Sequence, residues 1–155
     1  MTYSPDNPMR VALAGFGTVG QDIARRLAAG AIPSVRLAAI SARDLVKAAR
    51  NSADLDPRPL VVPVAELPAL ADVIVECATF DAFRGIAEAT LFAGKTLLVA
   101  SPGALATHLD LIDLAQTHGS RIQVATGALP GLDSVRSARE DGIRSVKLTA
   151  RFRPG

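Results

Sequence analysis

The sequence predicts an α/β fold in which one parallel sheet is covered by helices on both faces. Three observations carry this prediction. Short apolar runs alternate along the chain with segments of helical periodicity. The first run, Val11 to Ala14, leads into Gly15-Phe-Gly17-Thr-Val-Gly20 and then into a helical segment. Two later runs, Asp72 to Ala78 and Lys95 to Ala100, are almost continuously apolar inside, as strands buried on both faces are. Strands joined through helices lie parallel with right-handed crossovers. With the glycine turn first, the doubly wound, Rossmann-type architecture fits best.

Each element follows from local pattern. Residues 1–8 are polar and proline-containing and read as a flexible leader. They lack the basic start and apolar centre of a signal peptide. Arg10 to Gly15 is the first strand. Thr18 to Ala29 is the first helix, with Val19, Ile23 and Leu27 on one face. Val35 to Ile40 is the second strand, and Asp44 to Arg50 a short helix that Asp44 is placed to cap. Residues 51–59 hold two prolines among polar residues and read as a loop. Leu60 to Val64 reads as a short strand and Glu66 to Leu70 as a weak helix. Asp72 to Ala78 is a buried strand. Phe80 to Ala93 is a helix carrying Phe83, Ile86, Ala87 and Thr90 on one stripe, with Gly94 as its stop. Lys95 to Ala100 is a strand, Ser101-Pro102-Gly103 a turn, Thr107 to His118 a helix and Arg121 to Ala125 a strand.

Residues 9–130 form the first domain on this reading. Residues 131–155 begin a second, truncated one. Gly131 to Asp141 is helical in pattern. Ser145 to Phe152 alternates, with Val146, Leu148, Ala150 and Phe152 on one face and Lys147, Thr149 and Arg151 on the other. That is a half-exposed strand opening a second sheet. Its apolar face is expected to pair with a second copy of the chain, giving a homo-oligomer, or to pack back on its own domain.

Bulk properties narrow the function classes. At 155 residues the chain has the length of a single domain or slightly more. Aromatic residues are 4% and Trp is absent, so Ala, Val, Leu and Ile must build the core. A net charge of +2 is too mild for a nucleic-acid partner. The basic residues toward the C-terminus read as solvated faces. No uncharged apolar stretch is long enough to cross a bilayer, so no membrane partner is expected. One cysteine forms no internal disulfide, which suits a reducing cytoplasm.

The glycine turn carries the chemistry. A strand, a tight glycine turn and a helix N-terminus in that order form a dinucleotide-binding fingerprint. Gly15 turns sharply out of the strand. Gly17 lacks a Cβ, so a pyrophosphate can approach. Gly20 lets the helix pack close. Phe16, Thr18 and Val19 complete the loop and offer their backbone to the phosphates at the helix N-terminus. At the end of the second strand an acidic residue would bind a ribose 2′-hydroxyl and select NAD. Here Ser41 holds that place and Arg43 follows. A hydroxyl and a guanidinium suit a 2′-phosphate, so NADP is the expected cofactor, with NAD the alternative. Ligands gather at the carboxyl ends of parallel strands. Cys77 and Ala78, after the strand of 72–78, therefore join the cofactor-binding set. Cys77 reads as a small buried residue without the basic partner a nucleophile needs. Glu76 is either a site residue or a solvated strand end. His108 and His118 share one helical segment, show no metal-ligand pattern and read as surface residues.

Several of these motifs together resemble the L-aspartate dehydrogenase family. They are Gly-Phe-Gly-Thr-Val-Gly at 15–20, Val-Glu-Cys-Ala at 75–78, Ser-Pro-Gly-Ala-Leu-Ala at 101–106 and Thr-Gly-Ala-Leu-Pro-Gly-Leu-Asp at 126–133. The closing Leu-Thr-Ala-Arg-Phe-Arg-Pro at 148–154 resembles the basic strand that starts the family's second domain. There the family's usual Thr-Arg-Lys-Pro-Pro is altered to Ala-Arg-Phe-Arg-Pro. The glycine motif is shared more widely, with homoserine dehydrogenases among others. The resemblance implies NAD(P)-dependent oxidative deamination of L-aspartate through iminoaspartate. It also implies that Ala128 contacts the nicotinamide cofactor. The family's catalytic histidine and a further cofactor-binding asparagine belong to the second domain, and no residue here matches them. The chain is thus expected to supply the cofactor-binding portion of such an enzyme. The alternatives are a non-catalytic NAD(P)-binding module and a homoserine dehydrogenase-like enzyme.

Overall fold

A computed structural model gives the architecture. The structure describes residues 3–125 and, beyond them, only positions 142, 145, 147 and 149. The chain divides into two units, Met1–Ala125 and Thr126–Gly155. Ala128 and the helix expected over Gly131 to Asp141 lie outside the described residues, as do all but positions 145, 147 and 149 of the strand expected over Ser145 to Phe152.

The first unit is a six-stranded sheet with helices between the strands. Strands β1 (Met9–Ala14), β2 (Val35–Ser41), β3 (Leu60–Val61), β4 (Val73–Glu76), β5 (Thr96–Val99) and β6 (Arg121–Val124) run in the order β3-β2-β1-β4-β5-β6. Every neighbouring pair is parallel. The helices are α1 (Thr18–Ala28), α2 (Leu45–Asn51), α3 (Leu67–Leu70), α4 (Phe80–Phe92), α5 (Pro102–Ala106) and α6 (Asp110–Thr117). A single 3-10 turn, Val64–Glu66, precedes α3. This is the doubly wound Rossmann-type order that the alternation predicts. The strand order reverses between β1 and β4, and that reversal opens a crevice at their carboxyl ends.

The core divides by the pleat of the strands. Val11 and Leu13 of β1 face one side, packed with Leu37, Ile40 and Val75 under α1 and α2. Ala12 and Ala14 face the other, with Ile74, Leu97 and Val99 under α4 and α6. Small residues in β1 leave room there for Phe83, Ile86 and Leu91 from α4. Truncating the fully buried Phe83 to alanine would cost about 3–5 kcal/mol.

Local chemistry moves several boundaries. β3 is only two residues long: the Val62 N–H makes a last bond to the Ile40 carbonyl at 3.1 Å, and the 3-10 turn capped by Pro63 then takes the chain away. Ser101-Pro102-Gly103 opens a helix instead of a turn, with Pro102 in the first helical turn where its missing N–H costs nothing. The helix expected from Thr107 starts at Asp110. The Thr107 hydroxyl donates to the Ala104 carbonyl at 2.9 Å, and the His108 Nδ1 lies 2.9 Å from the same oxygen. These contacts close α5 and delay the next helix. The two histidines therefore do not share a helix. Val19 is 57% exposed, so it is not on the buried face of α1. That face is Gly20 and Ala24, with Ile23 and Leu27 half-buried beside them.

At the amino ends of the central strands Asp72, just before β4, ties the starts of β1 and β4 together. It accepts from the Arg10 backbone N–H at 3.0 Å and from the Arg10 guanidinium at 2.7 and 3.3 Å. No helix among the described residues is long and apolar enough to cross a membrane.

Candidate functional site

Three strand ends meet at Gly15. Its N–H donates to the Ser41 carbonyl at 2.9 Å, and the Cys77 N–H donates to the Ala14 carbonyl at 2.9 Å. The chain leaves β1 at Gly15 with φ +113°, a conformation that a side chain strongly disfavours. A Cβ there would also strike the backbone of Cys77 and Ala78. Gly20 is small for a different reason. Its Cβ would collide with the Gly15 carbonyl oxygen and lie 3.3 Å from the Cys77 sulfur. Helix α1 thus packs directly on the turn it follows.

Gly17 has neither constraint. A Cβ on it would meet nothing within 4 Å, so the space above this backbone is open. Gly17 is the N-cap of α1 and supplies no side-chain acceptor, and the first turn contains no acidic residue. The first N–H groups of an eleven-residue helix are therefore free for an anion, with the dipole reinforcing the attraction. Space at Gly17 and donors behind it fit a pyrophosphate. Gln21 holds the loop from within the helix, its Nε2 donating to the Phe16 carbonyl at 3.1 Å.

This turn floors a cavity of about 590 Å³ at the point where the strand order reverses. Gly15, Phe16, Gly17, Thr18, Ser41, Arg43, Cys77 and Ala78 all line it. Val19 and Gly20 do not: Val19 is exposed on α1, and Gly20 is packed against the turn. Gln21, Lys47 and Asn51 also line the cavity, and nothing in a glycine motif or a strand end marks them in the sequence; Thr79, at the strand end after Ala78, lines it too.

The β2 end carries Ser41, Arg43 and Asp44. Ser41 is 1% exposed, and its hydroxyl oxygen has no hydrogen-bond partner. An orphaned buried hydroxyl lacks a partner that a ligand would supply. Arg43 is exposed, and none of the ion pairs among the described residues engages it. Asp44 is committed locally, accepting from the Lys47 N–H at 2.8 Å as the cap of α2.

Cys77 sits beneath the turn. Burial, and secondly the nearby Glu76 charge, push its thiol up to about 12. It is therefore protonated at neutral pH and no nucleophile. Glu76 is fully buried, which removes the solvated-strand-end reading. His108 is half-buried against Phe83 (5.8 Å between ring centres) and Phe80, and His118 is exposed and edge-on to Phe92. The surface reading thus holds for His118 and fails for His108. Neither lines the cavity. No group of His, Cys, Asp and Glu suited to a metal ion occurs among the described residues.

Residues 15–125, from the glycine turn to the end of the sheet, match the family model described as the NAD binding domain of homoserine dehydrogenase. The chain belongs to that family. The family is one of nicotinamide dinucleotide-binding domains, and the glycine turn, the open Gly17 and the orphaned Ser41 hydroxyl fit such a group. Within the family, the resemblance to L-aspartate dehydrogenases is borne out. The chain is 44% identical to L-aspartate dehydrogenase 3 of Bordetella bronchiseptica over 145 residues, covering 93% of this chain and 53% of that protein. It is 41% identical to L-aspartate dehydrogenase of Bradyrhizobium diazoefficiens over 143 residues, covering 92% and 50%. The chain thus spans about half the length of these relatives. A homoserine dehydrogenase from Thiobacillus denitrificans shares the fold, with a TM-score of 0.65 at 23% identity, over 86% of this chain and 33% of that one.

Proposed function

We propose that this NAD-binding domain prefers NADP to NAD and serves the oxidative deamination of L-aspartate. The observation that carries the cofactor preference is the β2 end. A buried hydroxyl without a partner and an unpaired guanidinium stand where a carboxylate would select NAD. A 2′-phosphate would satisfy both groups. The substrate reading is supported by the identity to L-aspartate dehydrogenases over almost the whole chain.

The bound nicotinamide supplies the hydride acceptor. The described residues bind and orient the dinucleotide. They place no histidine at the cavity, and the Cys77 thiol is held protonated. Removal of a proton from the amine needs a positioned general base whose pKa lies near the working pH. The 155-residue chain by itself is therefore expected to bind NADPH and to form negligible NADPH from L-aspartate and NADP. Robust aspartate-dependent formation of NADPH by this chain would contradict that.

The cofactor preference is tested by reversing charge at Arg43. Arg43→Glu should lower the NADPH-to-NADH affinity ratio by about tenfold or more, as loss of a charged hydrogen bond does. An unchanged ratio refutes the assignment.

A further inference from the structure

Glu76 closes β4 with its side chain fully buried. A carboxylate taken out of water needs donors. Glu76 has three, drawn from two different loops. Its Oε1 accepts from the Ala78 N–H at 2.9 Å and from the Ser101 hydroxyl at 3.3 Å, and its Oε2 accepts from the Ser101 N–H at 3.1 Å. None of the ion pairs among the described residues includes it. The sheet itself does not require a carboxylate here. Glu76 lies between Ala14 and Val99 in the ladder, where an apolar side chain would pack without a desolvation cost. What the carboxylate adds is a tie between loops.

Those loops have a definite place in the crevice. Cys77, Ala78 and Thr79 line the cavity at the end of β4. Ser101 is the N-cap of α5, yet its side chain makes no cap hydrogen bond and turns to Glu76 instead. Both loops belong to the half of the sheet beyond the reversal of strand order. With the ribose 2′ end over β2, that half takes the nicotinamide nucleotide.

We infer that Glu76 is a positioning residue for the nicotinamide end of the cofactor. It straps the loop after β4 to the loop after β5 and holds the cavity wall formed by Ala78 and Thr79. This rests on the dinucleotide reading of the cavity. In Glu76→Gln one carboxylate oxygen becomes an NH2 group, so either the Ala78 or the Ser101 N–H faces a donor.

The test titrates the full chain with NADPH and with adenosine 2′,5′-bisphosphate, which lacks the nicotinamide half. Glu76→Gln should bind the bisphosphate like the wild type and bind NADPH about tenfold more weakly. Ser101→Ala keeps the backbone donor and loses only the hydroxyl, so it should lower the same affinity ratio by a smaller factor. Equal weakening of both probes, or of neither, overturns the inference. If Glu76→Gln does not fold, an unchanged ratio in Ser101→Ala overturns it. A wild-type chain that binds neither probe refutes the cofactor reading itself; binding of both with unchanged ratios refutes only the role of Glu76.

Discussion

The Cys77 thiol donates a hydrogen bond to the Gly15 carbonyl oxygen at 3.1 Å, joining the end of β4 to the turn that leaves β1. The same sulfur lies against the position of a Cβ on Gly20. The half-buried thiol is thus packed between the turn and the helix that follows it.

That packing and the raised thiol pKa predict low reactivity and a defined alkaline response. Native protein should react slowly with iodoacetamide at pH 8, and denaturant should release the single thiol to full reaction. The thiol ordinarily titrates near 9.0 and in the fold near 12. Between these values the unfolded chain loses the proton and the folded chain keeps it, so stability falls as pH rises from about 9 to about 12. Unfolding midpoints across that range for wild type and Cys77→Ala check the sign. The variant should show the shallower decline.

Gly20 and Gly17 should separate folding from binding. Gly20→Ala forces a methyl group onto the Gly15 carbonyl, and the resulting overpacking should cost about 1–3 kcal/mol. Gly17→Ala meets open space and changes only a helix cap, at a cost under about 1 kcal/mol. Thermal unfolding should therefore distinguish them, with Gly20→Ala clearly the less stable. NADPH titration should show Gly17→Ala impaired in binding while still folded, because its methyl group occupies the space a pyrophosphate needs.

The architecture is legible from the sequence because its strands are apolar runs and because α1, α2 and α5 begin beside glycine, an acidic cap and proline respectively. The α1 face is not. Its buried side is Gly20 and Ala24, and the eye follows the larger Val19, which the close packing turns outward. Ser101-Pro102-Gly103 carries turn residues, yet proline is equally at home in the first turn of a helix. The role of Glu76 was beyond pattern. Its donors are a backbone N–H two residues on and groups of Ser101 on another loop, and backbone donors leave no mark in composition. Lys47 and Asn51 reach the cavity only because α2 runs along its wall.

The Arg10–Asp72 pair predicts an acid response. Its guanidinium, chiefly through the hydrogen bond, holds the Asp72 carboxyl below its ordinary value of 3.8. The contribution is therefore present above pH 3.8 and is lost as pH falls through the depressed folded value. The pair is partly exposed, at 40% and 24% for the two side chains, so solvent screening keeps its contribution modest. Asp72→Asn should be modestly less stable than wild type at pH 7. The gap should narrow as the pH drops below 4, as followed by unfolding midpoints.

The most direct test of the cofactor cradle is a titration of the 155-residue chain with NADPH and with NADH, followed by nicotinamide fluorescence in a protein that contains no Trp. The account predicts saturable binding of both, with NADPH tighter by about tenfold. No saturable binding of either, or tighter binding of NADH, would contradict it.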